Sequence, residues 1–225
     1  MIYMLDTADI KAICKAVDLY PLAGVTTNPS IVAKENRPLK EILLDIRECI
    51  GPDRMLHAQV MAKDAETMLQ EALALRSIDP EIIVKVPVTP QGIKAMKLIA
   101  SEGILITATA ILTPQQALMA AVAGAEFLAP YVNRLDNICS DGVAVAAEMV
   151  ALIENYNLDA KVLGASFKNT QQVHQLALAG AHSVTIAPDV FDQLLVHPLT
   201  DSGVAGFVAD WEGVYGADTN VLDVL

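Results

Sequence analysis

Positive charge is scarce in this chain: 15 Lys and Arg stand against 27 Asp and Glu among 225 residues, a net charge of -12. No basic surface is available to neutralise a run of phosphates, which argues against a nucleic-acid or anionic-membrane partner. Cysteine is sparse too. Cys14, Cys49 and Cys139 are odd in number, far apart and without metal-ligand spacing, a pattern that predicts reduced thiols and no disulfide framework. Long hydrophobic runs are missing. The most apolar stretches, 103–112 and 117–132, are broken by Thr, Gly, Glu126 or Pro130 before reaching the roughly 20 apolar residues of a spanning helix. The opening MIYMLDTADIK lacks a basic n-region and meets Asp6 before any h-region, so the expected location is the cytoplasm.

Several catalytic signatures are also absent. His57, His174, His182 and His197 form no H-E-x-x-H or other close pair, so no metal site is expected. Neither a G-x-x-x-x-G-K-[ST] loop nor a G-x-S-x-G elbow occurs, which disfavours nucleoside-triphosphate chemistry and the common serine hydrolases. No G-x-G-x-x-G follows a strand-like run, which disfavours a dinucleotide cofactor on a doubly wound sheet. The reading calls for no cofactor.

What is present is apolar substance: 53% hydrophobic against 19% charged residues and a mean hydropathy of +0.42, enough for a large core. Eight strand-length runs recur, at 2–7, 23–28, 55–60, 82–88, 105–111, 127–132, 161–167 and 183–188. Between them lie amphipathic segments with helix signals. Asp64-Ala65-Glu66 opens a face of Ala65, Met68, Leu69, Ala72 and Leu75. Thr89-Pro90 and Thr113-Pro114 set a cap and an N1 proline after a strand, and 113–116 and 169–172 resemble capping boxes. A weak repeat, AVAGAEFLAP at 121–130 against ALAGAHSVTIAP at 177–188, pairs a helix end and glycine with a strand ending in Ala-Pro. Eight βα units of about 28 residues suit the small end of the (β/α)8 TIM barrel. The predicted architecture is one α/β barrel domain over 1–225, with 201–225 as an extension carrying an additional C-terminal helix.

Chemistry on such a barrel sits at the C-terminal ends of the strands. Alternation puts Asp6 with Ile2 and Met4, and Gln59 with Met55 and His57. It puts Lys85 with Ile83, Thr109 with Leu105 and Thr107, and Tyr131 with Phe127 and Ala129. It also puts Ser166 with Val162 and Gly164, while Asn28 ends the second strand. Lys85 is the sharpest signal, because the run Ile-Ile-Val-Lys-Val-Pro-Val would bury an ammonium group. Either a buried acid such as Asp6 pairs with it, or desolvation leaves a neutral amine able to form Schiff bases with carbonyl compounds.

LDTAD at 5–9, LAGVTTNPSIV at 22–32, AQV at 58–60, VKVPVT at 84–89, APYVNRLD at 129–136 and ASFK at 165–168 resemble the transaldolase family, in particular its fructose-6-phosphate aldolase-like branch. The resemblance implies a class I aldolase acting on small-molecule sugar phosphates. Lys85 would be the Schiff-base lysine, Asp6 and Asn28 would contact substrate hydroxyls, Thr109 and Gln59 would order a water, and Arg134 and Ser166 would hold phosphate. Gln59, Ala129 and Tyr131 stand where true transaldolases typically carry Glu, Ser and Phe, so these positions point to the aldolase. His57, Thr107 and Ala108 depart from that branch, which usually has an aromatic hydrocarbon, Leu and Gly there. Thr107 lies on the pocket-facing side, where it bears on donor preference. A transaldolase, and a catalytically silent sugar-phosphate-binding barrel, are the alternatives. The family also implies a homo-oligomer, a pentamer or decamer, for which Val204, Phe207, Val208 and Trp211 at helical spacing suit either a neighbour or the chain's own barrel.

Overall fold

In the computed structural model, which describes residues 1–225, the eight apolar runs pair in parallel into a closed barrel in the order β1-β2-β3-β4-β5-β6-β7-β8. The strands are β1 (Ile2–Asp6), β2 (Gly24–Thr26), β3 (Met55–Gln59), β4 (Ile82–Pro87), β5 (Ile106–Ile111), β6 (Phe127–Pro130), β7 (Lys161–Gly164) and β8 (Ser183–Ile186). Between β1 and β4 run α1 (Ile10–Leu19), α2 (Pro29–Lys34), α3 (Leu39–Ile50) and α4 (Ala65–Ile78). Then follow α5 (Pro90–Ser101), α6 (Pro114–Val122), α7 (Val132–Asp136), α8 (Gly142–Asn155), α9 (Thr170–Leu178), α10 (Pro188–Gln193) and α11 (Pro198–Tyr215). The predicted (β/α)8 barrel with a C-terminal helix is the observed fold.

Local chemistry accounts for the boundaries. Asp64, Thr89 and Thr113 each accept a backbone N–H in the first turn of the helix they open, and Thr113 with Gln116 forms a reciprocal capping box. Asn169 caps α9, but Gln172 turns its Oε1 to the N–H of Lys168, so the second box is incomplete. The repeat is real in backbone terms: Gly124 and Gly180 both end helices with positive φ, 101° and 83°. On α4, Ala65, Met68, Ala72 and Leu75 are buried, and Leu69 is half-buried.

Met4, Ile83, Phe127 and Leu163 pack together as a cluster of buried residues, with Ile2 and Met55 against them. Leu163 corrects one expectation. The seventh strand is out of phase with the predicted face of Val162, Gly164 and Ser166. A Cβ on Gly164 would strike Leu176 of α9, so Gly164 faces the helical layer. Val162 and Leu163 are both buried, at 0% and 1%, and in a strand apolar on both faces alternation does not reveal which one is inside. Leu105 also falls outside the barrel strand and is exposed.

The cysteines supply a second correction. Cys14 on α1 and Cys49 on α3 are joined as a disulfide with their Cα atoms 5.7 Å apart, and Cys139 is free and exposed. A separation of 35 residues hid a proximity that the side-by-side packing of two barrel helices creates.

The chain divides into two compact units, Met1–Phe191 and Asp192–Leu225. The first holds the barrel. The second is built on α11, capped by His197, and a short 3-10 turn at Val221–Asp223. Within it Trp211 and Tyr215 stack at 4.4 Å between ring centroids, and Val204, Phe207 and Val208 are exposed. No helix is long and apolar enough to cross a membrane.

Candidate active site

The C-terminal half of the barrel interior is polar. Thr26, His57, Lys85, Thr107, Thr109 and Thr185 are all buried. Lys85 on β4 is 5% exposed, and its Nζ donates to the carbonyl oxygen of Thr27 at 2.7 Å. Burial pushes the Lys85 ammonium below its ordinary pKa, partly opposed by the attraction of Asp6. The Thr27 N–H and Oγ1 both donate to the carbonyl of His57, each at 2.9 Å, which fixes the residue that presents this carbonyl.

Asp6 at the end of β1 is held from the same side. Thr26 Oγ1 donates to Asp6 Oδ1 at 2.6 Å and lies 2.7 Å from Thr185 Oγ1. Since the Thr26 proton goes to the carboxylate, Thr185 must be the donor to Thr26. Asp6 is thus anchored by the last residue of β2, and Lys85 by the residue that follows it. Gln59 on β3 and Thr107 on β5 flank Lys85 in register on either side.

On β5 the register shifts between Ala108 and Ile111, and Ala110 takes a φ of 60°, a bulge of the kind that re-aims side chains next to active sites. Thr109 Oγ1 there lies 3.2 Å from Tyr131 Oη. Tyr131 stands at the start of α7, and the Arg134 guanidinium lies over its ring, 4.4 Å from the centroid, a cation–π arrangement. Asp136 is not the partner of Arg134 in this packing: its oxygens accept from Gly142 N at 2.9 Å and Gln172 Nε2 at 2.6 Å. Ser166 adopts a φ of 64°, and its carbonyl accepts from Asn133 N at 3.0 Å. The β7 tip is therefore tied to the helix that carries Arg134. Asn28 caps α2 through Oδ1, leaving its amide NH2 as a donor.

Of the residues singled out in the sequence, Gln59 and Lys85 pair in register on neighbouring strands, Asp6 ends β1 one strand beyond β2, and Thr109, Tyr131 and Arg134 form a contact series. Ala129 is buried on β6. Thr107 is fully buried and its hydroxyl meets His57 Nδ1 at 2.8 Å. Sequence reasoning missed Thr26, Thr27 and Thr185. The alternation of Ser183 and Thr185 in an apolar strand was the available signal. No three His, Cys, Asp or Glu side chains gather where they could hold a metal ion.

Solved structures share the fold at low identity. One is a mandelate oxidase mutant with a monooxide FMN adduct, with a TM-score of 0.56 and 15% identity over 96% of this chain and 74% of that one. Another, described as a native KDPGal structure, gives a TM-score of 0.58 and 18% identity over 84% and 82%. Likeness at that level establishes the barrel alone. Residues 3–217 match the profile described as Transaldolase/Fructose-6-phosphate aldolase, and the chain belongs to that family.

Proposed function

We propose that this chain is a class I aldolase that cleaves fructose 6-phosphate reversibly to dihydroxyacetone and glyceraldehyde 3-phosphate through an imine on Lys85. The observation that carries the reading is a lysine buried inside the barrel, hydrogen-bonded to a backbone carbonyl and held below its ordinary pKa by desolvation. Its neutral amine attacks C2 of the ketose, and loss of water leaves an iminium ion. Removal of the C4 hydroxyl proton breaks C3–C4, and the electron pair enters the iminium to form an enamine. Glyceraldehyde 3-phosphate departs. Protonation of the enamine at C3 and hydrolysis by water then free dihydroxyacetone and Lys85.

Tyr131 is the proton carrier, with Thr109 and Gln59 ordering the water. Asp6 and Asn28 bind substrate hydroxyls, and Thr107 and Ala129 bound the donor pocket. Arg134 offers a planar fork to the phosphate dianion, Ser166 adds a hydroxyl, and the fork has the more to do because a chain of net charge -12 repels that anion. The working molecule is a cytoplasmic homo-oligomer, each chain one barrel domain with its C-terminal extension.

Borohydride reduction in the presence of dihydroxyacetone tests this reading. One adduct on the peptide carrying Lys85 is expected; no adduct, or activity surviving Lys85→Met, rejects it. A transaldolase passes the same enamine to an aldose phosphate. Free dihydroxyacetone forming from fructose 6-phosphate alone is the aldolase outcome, whereas sedoheptulose 7-phosphate forming rapidly only with erythrose 4-phosphate present would make the chain a transaldolase.

A further inference from the structure

His57 has no part in the mechanism above, yet it occupies the centre of the barrel. The side chain is fully buried, its Nδ1 lies 2.8 Å from Thr107 Oγ1, and its ring meets Phe127 edge-on at 5.3 Å between centroids. Its Nε2 is buried with no hydrogen-bond partner. β3 and β5 flank β4, so a bond from His57 to Thr107 crosses the inner face of β4, where Thr107 pairs with Lys85 and His57 with Ile83. The imidazole therefore bridges the barrel next to the lysine.

A hydrocarbon ring would fill this space and leave no nitrogen unpaired, and buried polar atoms without partners are rare. We propose that His57, oriented by Thr107, is a positioning residue for Lys85: a neutral dipole that stabilises the positive nitrogen Lys85 carries as ammonium and, on the Schiff-base reading above, as iminium. Burial and the nearby Lys85 charge push the His57 pKa down to about 3, so the ring stays uncharged at working pH. A cation beside it favours the tautomer in which Nδ1–H donates to Thr107 Oγ1 and the bare Nε2 lone pair is the negative end. The groups that face Lys85 are then Asp6 from β1, the Thr27 carbonyl after β2 and His57 from β3. Lys85 is the charged group that faces His57, with Thr107 and Phe127 as its neutral neighbours.

The test follows borohydride trapping with dihydroxyacetone, and steady-state cleavage of fructose 6-phosphate, across pH in the parent, His57→Phe, Thr107→Val, the double variant and His57→Asn. His57→Phe withdraws the dipole, so the acid limb of trapping should move down by about one pH unit, tenfold in the neutral-amine fraction. Turnover should fall about tenfold with KM within about twofold, the split expected when a charge formed during the reaction loses support. Thr107→Val should shift both in the same direction, the double variant should go no further than His57→Phe, and His57→Asn, which keeps a hydrogen-bonding dipole toward Thr107, should recover part of both. The double variant leaves neither a bare threonine hydroxyl nor an unpaired nitrogen, so it keeps the experiment informative if a single variant folds poorly. Parent-like limbs and turnover in His57→Phe and the double variant, with the parent forming its adduct, would overturn the role of His57 alone. Failure of the parent to form any adduct overturns the Schiff-base reading and this inference with it.

Discussion

The hydroxyl oxygens of Thr109 and Tyr131 stand 3.2 Å apart, which joins the bulged strand β5 to the entry of α7. The contact orients the Tyr131 hydroxyl without a charged partner. Tyr131→Phe removes it and leaves the ring beneath Arg134. Proton-transfer groups contribute on the order of 100-fold or more, so dihydroxyacetone release should slow by about that factor while transfer to erythrose 4-phosphate slows less. Parallel product assays check the difference; equal slowing would remove Tyr131 as the proton carrier.

Arg134 stacks on Tyr131 while Asp136 is engaged by Gly142 and Gln172, which leaves the guanidinium N–H groups for an anion. Arg134→Ala should raise KM for phosphorylated aldehydes by about 10- to 100-fold, the loss of one charge-assisted bond. Unphosphorylated aldehydes should be nearly unaffected. Equal losses on both series would put the phosphate elsewhere.

His57 also predicts an acid-stability profile. Its pKa falls from 6.5 to about 3 on folding, so between those values the unfolded chain binds a proton that the folded chain refuses. Stability is therefore complete above pH 6.5 and declines as pH falls toward 3, by about 2 kcal/mol at pH 5. Urea midpoints for the parent and His57→Phe at pH 7 and pH 5 should show the variant with the smaller drop. His182, also pulled down by burial, is common to both proteins and cancels in the comparison.

The link between Cys14 and Cys49 is measurable directly. Thiol titration of the unfolded, unreduced chain should find Cys139 alone, and reduction should expose all three cysteines. Closing a loop of this length is worth about 2–4 kcal/mol, so reduction should lower Tm by several degrees. Three free thiols before reduction would refute the bond.

Much of the barrel was legible because its signals are local. Strand-length apolar runs, threonine caps followed by proline and glycines after helices each act within a few residues, and they mark the alternating βα order. Lys85 was legible for the opposite reason: an ammonium group in an apolar strand contradicts its surroundings, and such conflicts mark function. The family resemblance then supplied expected roles for Asp6, Gln59, Thr109, Tyr131 and Arg134 that their spacing alone could not.

Barrel closure decided the rest. Thr185 reaches Thr26, and through it Asp6, only because β8 pairs with β1, and the Thr27 carbonyl meets Lys85 across 58 positions of sequence. The face of β7 could not be read from a strand buried on both sides, where either phase satisfies the same hydrophobic pattern. Cys14 and Cys49 met because α1 packs on α3, and His57 found Thr107 because the barrel wall curves two non-neighbouring strands toward one another. The sequence by itself determined which elements form and that a lysine is buried among them, since propensity and periodicity act along the chain. Only the tertiary structure decided what that lysine touches, because hydrogen-bond partners are set by distances in space that no local pattern encodes.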